Sequence, residues 1–276
     1  MSLFDLWLWP LLAIVLLPGI LVYFGLHVVE RGVIFVDLAL AQIAALGVCV
    51  AIVIGTHQGH HPHTYLWSLA FTLIGAAIFS MTRFHHARVP QEAVIGIIYV
   101  VSAAAATLVL SRSAEGDEAL KSLLLGDVLL VRRSDVLWTF FLYVVITVFH
   151  FVLRDKFLSI TFHEKRALPM GGARLRLWDF LFYGTFGLVV TSFVQIAGVY
   201  LVFSYLIVPA VCGALLSARI LGRLVIGWAI ALVAGVAGLL VSVNAEGLDL
   251  PTGPTIVCML GLSLILSAGL ARLKRT

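Results

Sequence analysis

The chain alternates long apolar runs with short polar breaks. The runs cover roughly 6–27, 33–55, 65–82, 93–111, 135–153, 177–197, 199–216, 223–243 and 254–271. Most lie near the about 20 residues that a helix needs to cross the hydrocarbon core of a bilayer, and well above the 9–11 or so of a barrel strand. The run from Leu177 to Leu216 would measure about 60 Å as one helix, so it is expected to cross twice. If one of its arms re-enters instead, the total falls to eight. The pattern therefore predicts an all-α polytopic transmembrane bundle of about nine (eight to nine) spans, forming one membrane domain over 1–276.

Composition strengthens this picture. Apolar residues make up 62% of the 276 residues and charged residues 12%, against about 25% charged in soluble domains. Such a chain cannot cover a water-facing surface, and its natural surroundings are lipid. The formal net charge of +4 is then no sign of nucleic-acid binding. It reports orientation, because cytoplasmic connections collect Lys and Arg. With 154–176 placed in the cytoplasm, the inside connections hold 14 of the 18 basic residues. The N-terminus then falls outside and the C-terminus inside. Arg132 and Arg133 are the discordant pair, expected to cap a short outer-surface helix over Leu120–Val131.

The N-terminus lacks the basic region of a cleavable signal and carries Asp5, Trp7 and Trp9, so it reads as an interface anchor. Cys49, Cys212 and Cys258 lie within apolar runs and read as small packing residues rather than a disulfide or thiolate site. No Gly-x4-Gly-Lys-Ser/Thr sequence occurs. If transport is driven by ATP, a partner supplies the nucleotide chemistry.

Few polar residues interrupt the apolar runs. Asp37 sits about one turn inside the second span, where a carboxylate costs about 2.5–3.5 kcal/mol on insertion scales. It reads as a point on a cation pathway, and as a metal ligand, with Gln42 sharing part of its face. The structural alternative is an inter-helix hydrogen bond. His57, His60, His61 and His63 fall between spans two and three, where neutral imidazoles suit zinc and would form an external metal relay; a solvated polar loop is the alternative. His85 and His86 form a weaker pair. Glu92 follows Pro90 in the first turn of span four, which fits a helix start. A structural ion pair or an exit-side role is the sharper reading. His27 and His150 fit helix C-termini. Asn244, Glu246 and Asp249 form an acidic turn before Pro251 and Gly253. In the 154–176 segment, Thr161–Gly172 is expected to form a short amphipathic helix ended by glycines. A motor protein could push against it; a basic loop touching lipid is the alternative.

Taken in order, these stretches resemble the membrane-spanning subunit of ABC transporters that import divalent metals, the manganese/zinc/iron permease family. The resemblance rests on Glu30-Arg31 followed by Asp37–Gly47, Glu92-Ala-Val-Ile-Gly96, Leu123–Leu129, Phe162–Gly171, Gly198–Ala214 and Ser242–Gly253. It spans nearly the whole chain. It implies a permease, not itself an enzyme, working by alternating access in a bacterial plasma membrane. It further implies a homodimer, cytoplasmic ABC ATPase subunits that bind the ATP, and an extracytoplasmic metal-binding protein that delivers the cation. No covalent cofactor is implied; the cargo would be zinc or manganese, with the loop histidines tilting towards zinc. Glu164, Ala167 and Gly171 would couple the permease to its ATPase. The early family motif, Gly-Asp-Ala-Leu-Ser-His-Ala, is altered: aligned on Gly47, Leu38 stands in place of its Asp and Gln42 in place of its His. A different cargo on the same fold, or a stand-alone secondary carrier, are the rival readings. An intramembrane enzyme is disfavoured, since neither His-Glu-x-x-His nor Gly-x-Ser-x-Gly occurs.

Overall fold

The computed structural model describes residues 3–54, 62–82, 90–111, 116–126, 128–162, 172–244 and 250–274. Among these the regular structure is helical: α1 (Leu3–Arg31), α2 (Val36–Val53), α3 (Pro62–Met81), α4 (Gln91–Leu110), α5 (Gly116–Leu125), a 3-10 turn (Val128–Leu130), α6 (Arg133–Val152), α7 (Arg154–Phe162), α8 (Gly172–Leu216), α9 (Ile220–Asn244) and α10 (Thr252–Leu273). Eight of these helices are long and apolar enough to cross a membrane. One of the eight is the 45-residue α8, which is broken at Gly198, where φ is 76° and ψ 166°. Its arms, 172–197 and 199–216, are about 39 and 27 Å long. The totals of eight and nine describe the same chain, with α8 counted as one helix or as two.

Two local expectations shift. The short helix expected over Leu120–Val131 runs instead as α5 over Gly116–Leu125, because Gly126 adopts a left-handed φ of 60° that ends it. The connection expected over 154–176 begins as helix α7, and α8 starts at Gly172, ahead of the expected Leu177. Charged residues had masked helix there, since Arg154, Asp155 and Lys156 break the apolar pattern without breaking the backbone.

The chain forms two compact units. The first comprises Met1–Val29, Leu124–Tyr143 and Gln195–Thr276. Within it, helices approach closely where side chains vanish. A Cβ on Gly238 would fall 2.7 Å from Ile256, so α9 and α10 meet nearly backbone to backbone. Gly126 and Gly198 also touch through their backbones, so neither position has room for a Cβ. Both take positive φ, which only glycine adopts without cost. Ser242 Oγ donates to Leu250 O at 2.7 Å and lies 2.9 Å from Thr252 Oγ1, tying the end of α9 to the start of α10.

The second unit comprises Glu30–Leu123 and Val144–Val194. Here α2 packs on α3 and α4. Most of α2 is buried, from Val36 to Ala51 and on every side of the helix. Hydroxyls join the elements: Ser68 Oγ donates to Ala44 O at 3.0 Å, and Thr72 and Thr191 pair at 2.8 Å. Aromatic rings fill one end of the unit. Phe157 touches Trp178 and Phe182, and Phe79 meets Tyr183 edge-on at 6.1 Å.

Candidate functional site

In the second unit, the end of α1, the start of α2 and the start of α4 gather polar side chains that the bilayer interior would otherwise exclude. Arg31 ends α1. Gly32, with φ of 65°, turns the chain, and the Val36 N–H donates to Val33 O at 3.1 Å as α2 begins. The Arg31 guanidinium does not point to water. Its Nη1 lies 3.0 Å from Asp179 Oδ1, with the two side chains 5% and 1% exposed. Its Nε donates to Thr161 Oγ1 at 3.0 Å, and its carbon sits 4.0 Å over the Phe182 ring. Arg31 thus joins the ends of α1 and α7 to the start of α8. Sequence reading placed Arg31 among connection charges and passed over Asp179. The available signal was an arginine and an aspartate each bordering an apolar run at the same end of the bundle.

Asp37 is the second residue of α2. It is fully buried, and among the described residues neither carboxylate oxygen has a side-chain hydrogen-bond partner, while the backbone N–H groups of Asp37 and Leu38 lend its charge some support. The helix N-terminus offers it a favourable dipole. Its charge is also within reach of Glu92. Glu92 lies in the first turn of α4, and its Oε1 accepts the Phe35 N–H at 3.1 Å, while its Oε2 is buried and has no partner among the described residues. This region therefore holds three buried carboxylate oxygens that no described side chain pairs.

Gln42 is buried too, but five residues along a helix turn it about 140° from Asp37. The two do not line one face; both are enclosed because α2 is buried all round. Among the described residues, no group of three or more His, Cys, Asp or Glu side chains could hold a metal ion. What Asp37 and Glu92 offer is hard oxygen donors, which suit magnesium, calcium or manganese better than zinc.

The remaining candidates separate. His63 lies in the first turn of α3 and is exposed. His57, His60 and His61, the coupling candidates Glu164, Ala167 and Gly171, His85 and His86, and Glu246 and Asp249 lie outside the described residues. His150 Nε2 is 2.8 Å from Thr185 Oγ1, and its ring stacks on Phe157 at 4.2 Å, as a core histidine does. The His27 ring meets Tyr23 edge-on at 4.7 Å. Asn244 donates to Leu240 O at 2.8 Å within its own helix.

In comparison with known proteins, the family described as ABC 3 transport family matches residues 4–271. None of the curated proteins compared with the chain matches it. Solved structures share its fold, two of them as follows. PsaBC from Streptococcus pneumoniae, in complex with a Fab, is 19% identical with a TM-score of 0.78, over 96% of this chain and 92% of that one. A structure described as an inward-facing conformation of a metal-chelate type ABC transporter is 17% identical with a TM-score of 0.71, over 95% and 85%.

Proposed function

This chain belongs to the ABC 3 transport family, and on that premise we propose that it is the membrane-spanning subunit of an importer for a divalent metal cation. The cargo is zinc or manganese, and separate cytoplasmic ATPase subunits supply the energy. The metal-chelate type named for one structural relative supports a metal cargo. Two copies of the chain in a bacterial plasma membrane, served by an extracytoplasmic metal-binding protein, complete the machine.

Asp37 carries the reading. A fully buried carboxylate whose two oxygens have no side-chain partner among the described residues is costly inside a membrane, and a visiting cation would offset that cost. Oxygen chemistry at Asp37 and Glu92 favours manganese; the tilt towards zinc rests on loop histidines, of which only His63 is described. Gln42 contributes an amide at most. The test is cation uptake by cells carrying Asp37→Ala at matched expression, with Gln42→Ala beside it. Unchanged uptake by Asp37→Ala would remove the carboxylate from the pathway.

A second reading keeps the fold and changes the cargo. It is favoured by Gln42 and Leu38 standing where the family has His and Asp, and by the absence of a three-ligand group among the described residues. Uptake of labelled divalent metals, tried one by one, separates the two: a cargo that is not a metal leaves every one of them outside the cell.

A further inference from the structure

We propose that Arg31 is the positioning residue through which a displacement of the end of α7 and the start of α8 reaches Asp37. This rests on the importer reading, in which the ATPase acts on the chain between these two helices.

The geometry is that of a fork. Thr161 precedes the connection by two residues and Asp179 follows it by eight. One guanidinium holds both, through Nε to Thr161 and Nη1 to Asp179, each at 3.0 Å. The Phe182 ring, 4.0 Å beneath, fixes the plane of the fork. Arg31 and Asp179 are nearly excluded from solvent, so water cannot readily replace a broken contact. A guanidinium offers several donors in a rigid plane, whereas lysine offers a single ammonium on a flexible stem.

The other side of Arg31 is covalent. It is the last residue of α1, and Gly32 to Phe35 alone separate it from α2. That turn is held at its far end by Glu92 on the Phe35 N–H and by the Val36 N–H on Val33 O. A displacement of α7 and the start of α8 must therefore carry Arg31, and the short turn passes it to the first turn of α2. Asp37 is in that turn. Among the described residues Arg31 Nη2 is buried without an acceptor, so the hold on Thr161 and Asp179 uses only part of the guanidinium's donors.

Positioning differs from mere support in what it does to stoichiometry. The test uses the whole transporter, permease with its ATPase and binding protein, in proteoliposomes, and measures ATP hydrolysed per cation taken up. Thr161→Val cuts one branch of the fork and leaves the ion pair; Arg31→Lys keeps the charge and loses the fork. Both are expected to raise the ratio by about threefold or more, in line with known coupling effects. Thr72→Val, which breaks a buried hydroxyl pair elsewhere in the unit, is expected to leave the ratio alone. Should Arg31→Lys not assemble, Arg31→Met with Asp179→Leu replaces the pair by apolar side chains and is expected to hydrolyse ATP with little uptake. Wild-type stoichiometry in both Thr161→Val and the Arg31 variant overturns the proposal and leaves the importer reading standing. A wild-type complex without ATP-dependent uptake overturns both.

Discussion

The Glu92 carboxylate accepts the Phe35 N–H at 3.1 Å, so the acid that begins α4 caps α2. The position of Glu92, one residue after the start of α4, suggests service to its own helix. Instead it satisfies one of the orphan donors that every helix start leaves, and it ties two neighbouring helix ends together. α4 has Pro90 at its own N-cap, with no side-chain cap bond.

Glu92→Ala should lower stability by about 1 kcal/mol, the usual worth of a capping side chain. Glu92→Gln keeps an acceptor and should lose less. Thermal unfolding of the three proteins in one detergent ranks them, and equal midpoints would mean the cap adds nothing.

Arg31→Ala leaves Asp179 buried without its guanidinium. Removing one partner of such a pair costs about 3–5 kcal/mol, whereas replacing both by apolar groups is often near neutral. Arg31→Ala should therefore accumulate poorly, and Arg31→Met with Asp179→Leu should recover folded protein. Membrane yield and monodispersity in gel filtration read both effects. A double variant no better than the single would place the loss elsewhere.

Asp37→Leu should act in opposite directions on stability and uptake. The carboxylate is buried with no side-chain partner among the described residues, and replacing an unsatisfied buried polar group by an apolar one of similar size removes a cost of about 1–3 kcal/mol. The melting temperature should rise while cation uptake falls. A variant that both melts earlier and transports less would point to an unseen structural partner instead.

Gly198→Ala and Gly96→Ala should behave as opposites. Gly198 holds φ 76° and ψ 166°, a region open essentially to glycine, and other residues pay about 1–3 kcal/mol there. The added methyl would also meet the Gly126 backbone. Gly96 lies inside α4 with open space around it, where alanine gains about 0.8–1.0 kcal/mol of helix propensity. Unfolding curves should show a loss at Gly198 and no loss at Gly96.

Much of this was legible in the residues. The spans follow from apolar runs set against bilayer thickness, and the membrane-length helices fall within a few residues of their expected bounds, α8 beginning five residues early. Pro251 and Pro90 mark helix starts because proline fits the first turn and little else. Asp37 stood out because a charge inside an apolar run is rare. The Arg31–Asp179 pair did not, since the two residues are 148 apart and no periodicity links them. Each sits at the edge of a run, where a charge reads as solvated. Nor could the face of Gln42 be judged before α2 was known to be enclosed. A helix buried on one side would have made Asp37 and Gln42 differ in exposure; this one buries both.

The enclosure of α2 separates what its sequence does during biogenesis from what it does afterwards. Nascent membrane helices partition from the translocon into lipid by overall hydrophobicity, so α2 must be apolar to leave it. With α3 and α4 packed on it, most of the mature helix is buried in protein. Its alanines and glycine serve close packing, and each of its two polar side chains already counts against insertion. Adding further ligand groups to α2 to change the cargo would thus meet its first obstacle at membrane insertion, before transport begins.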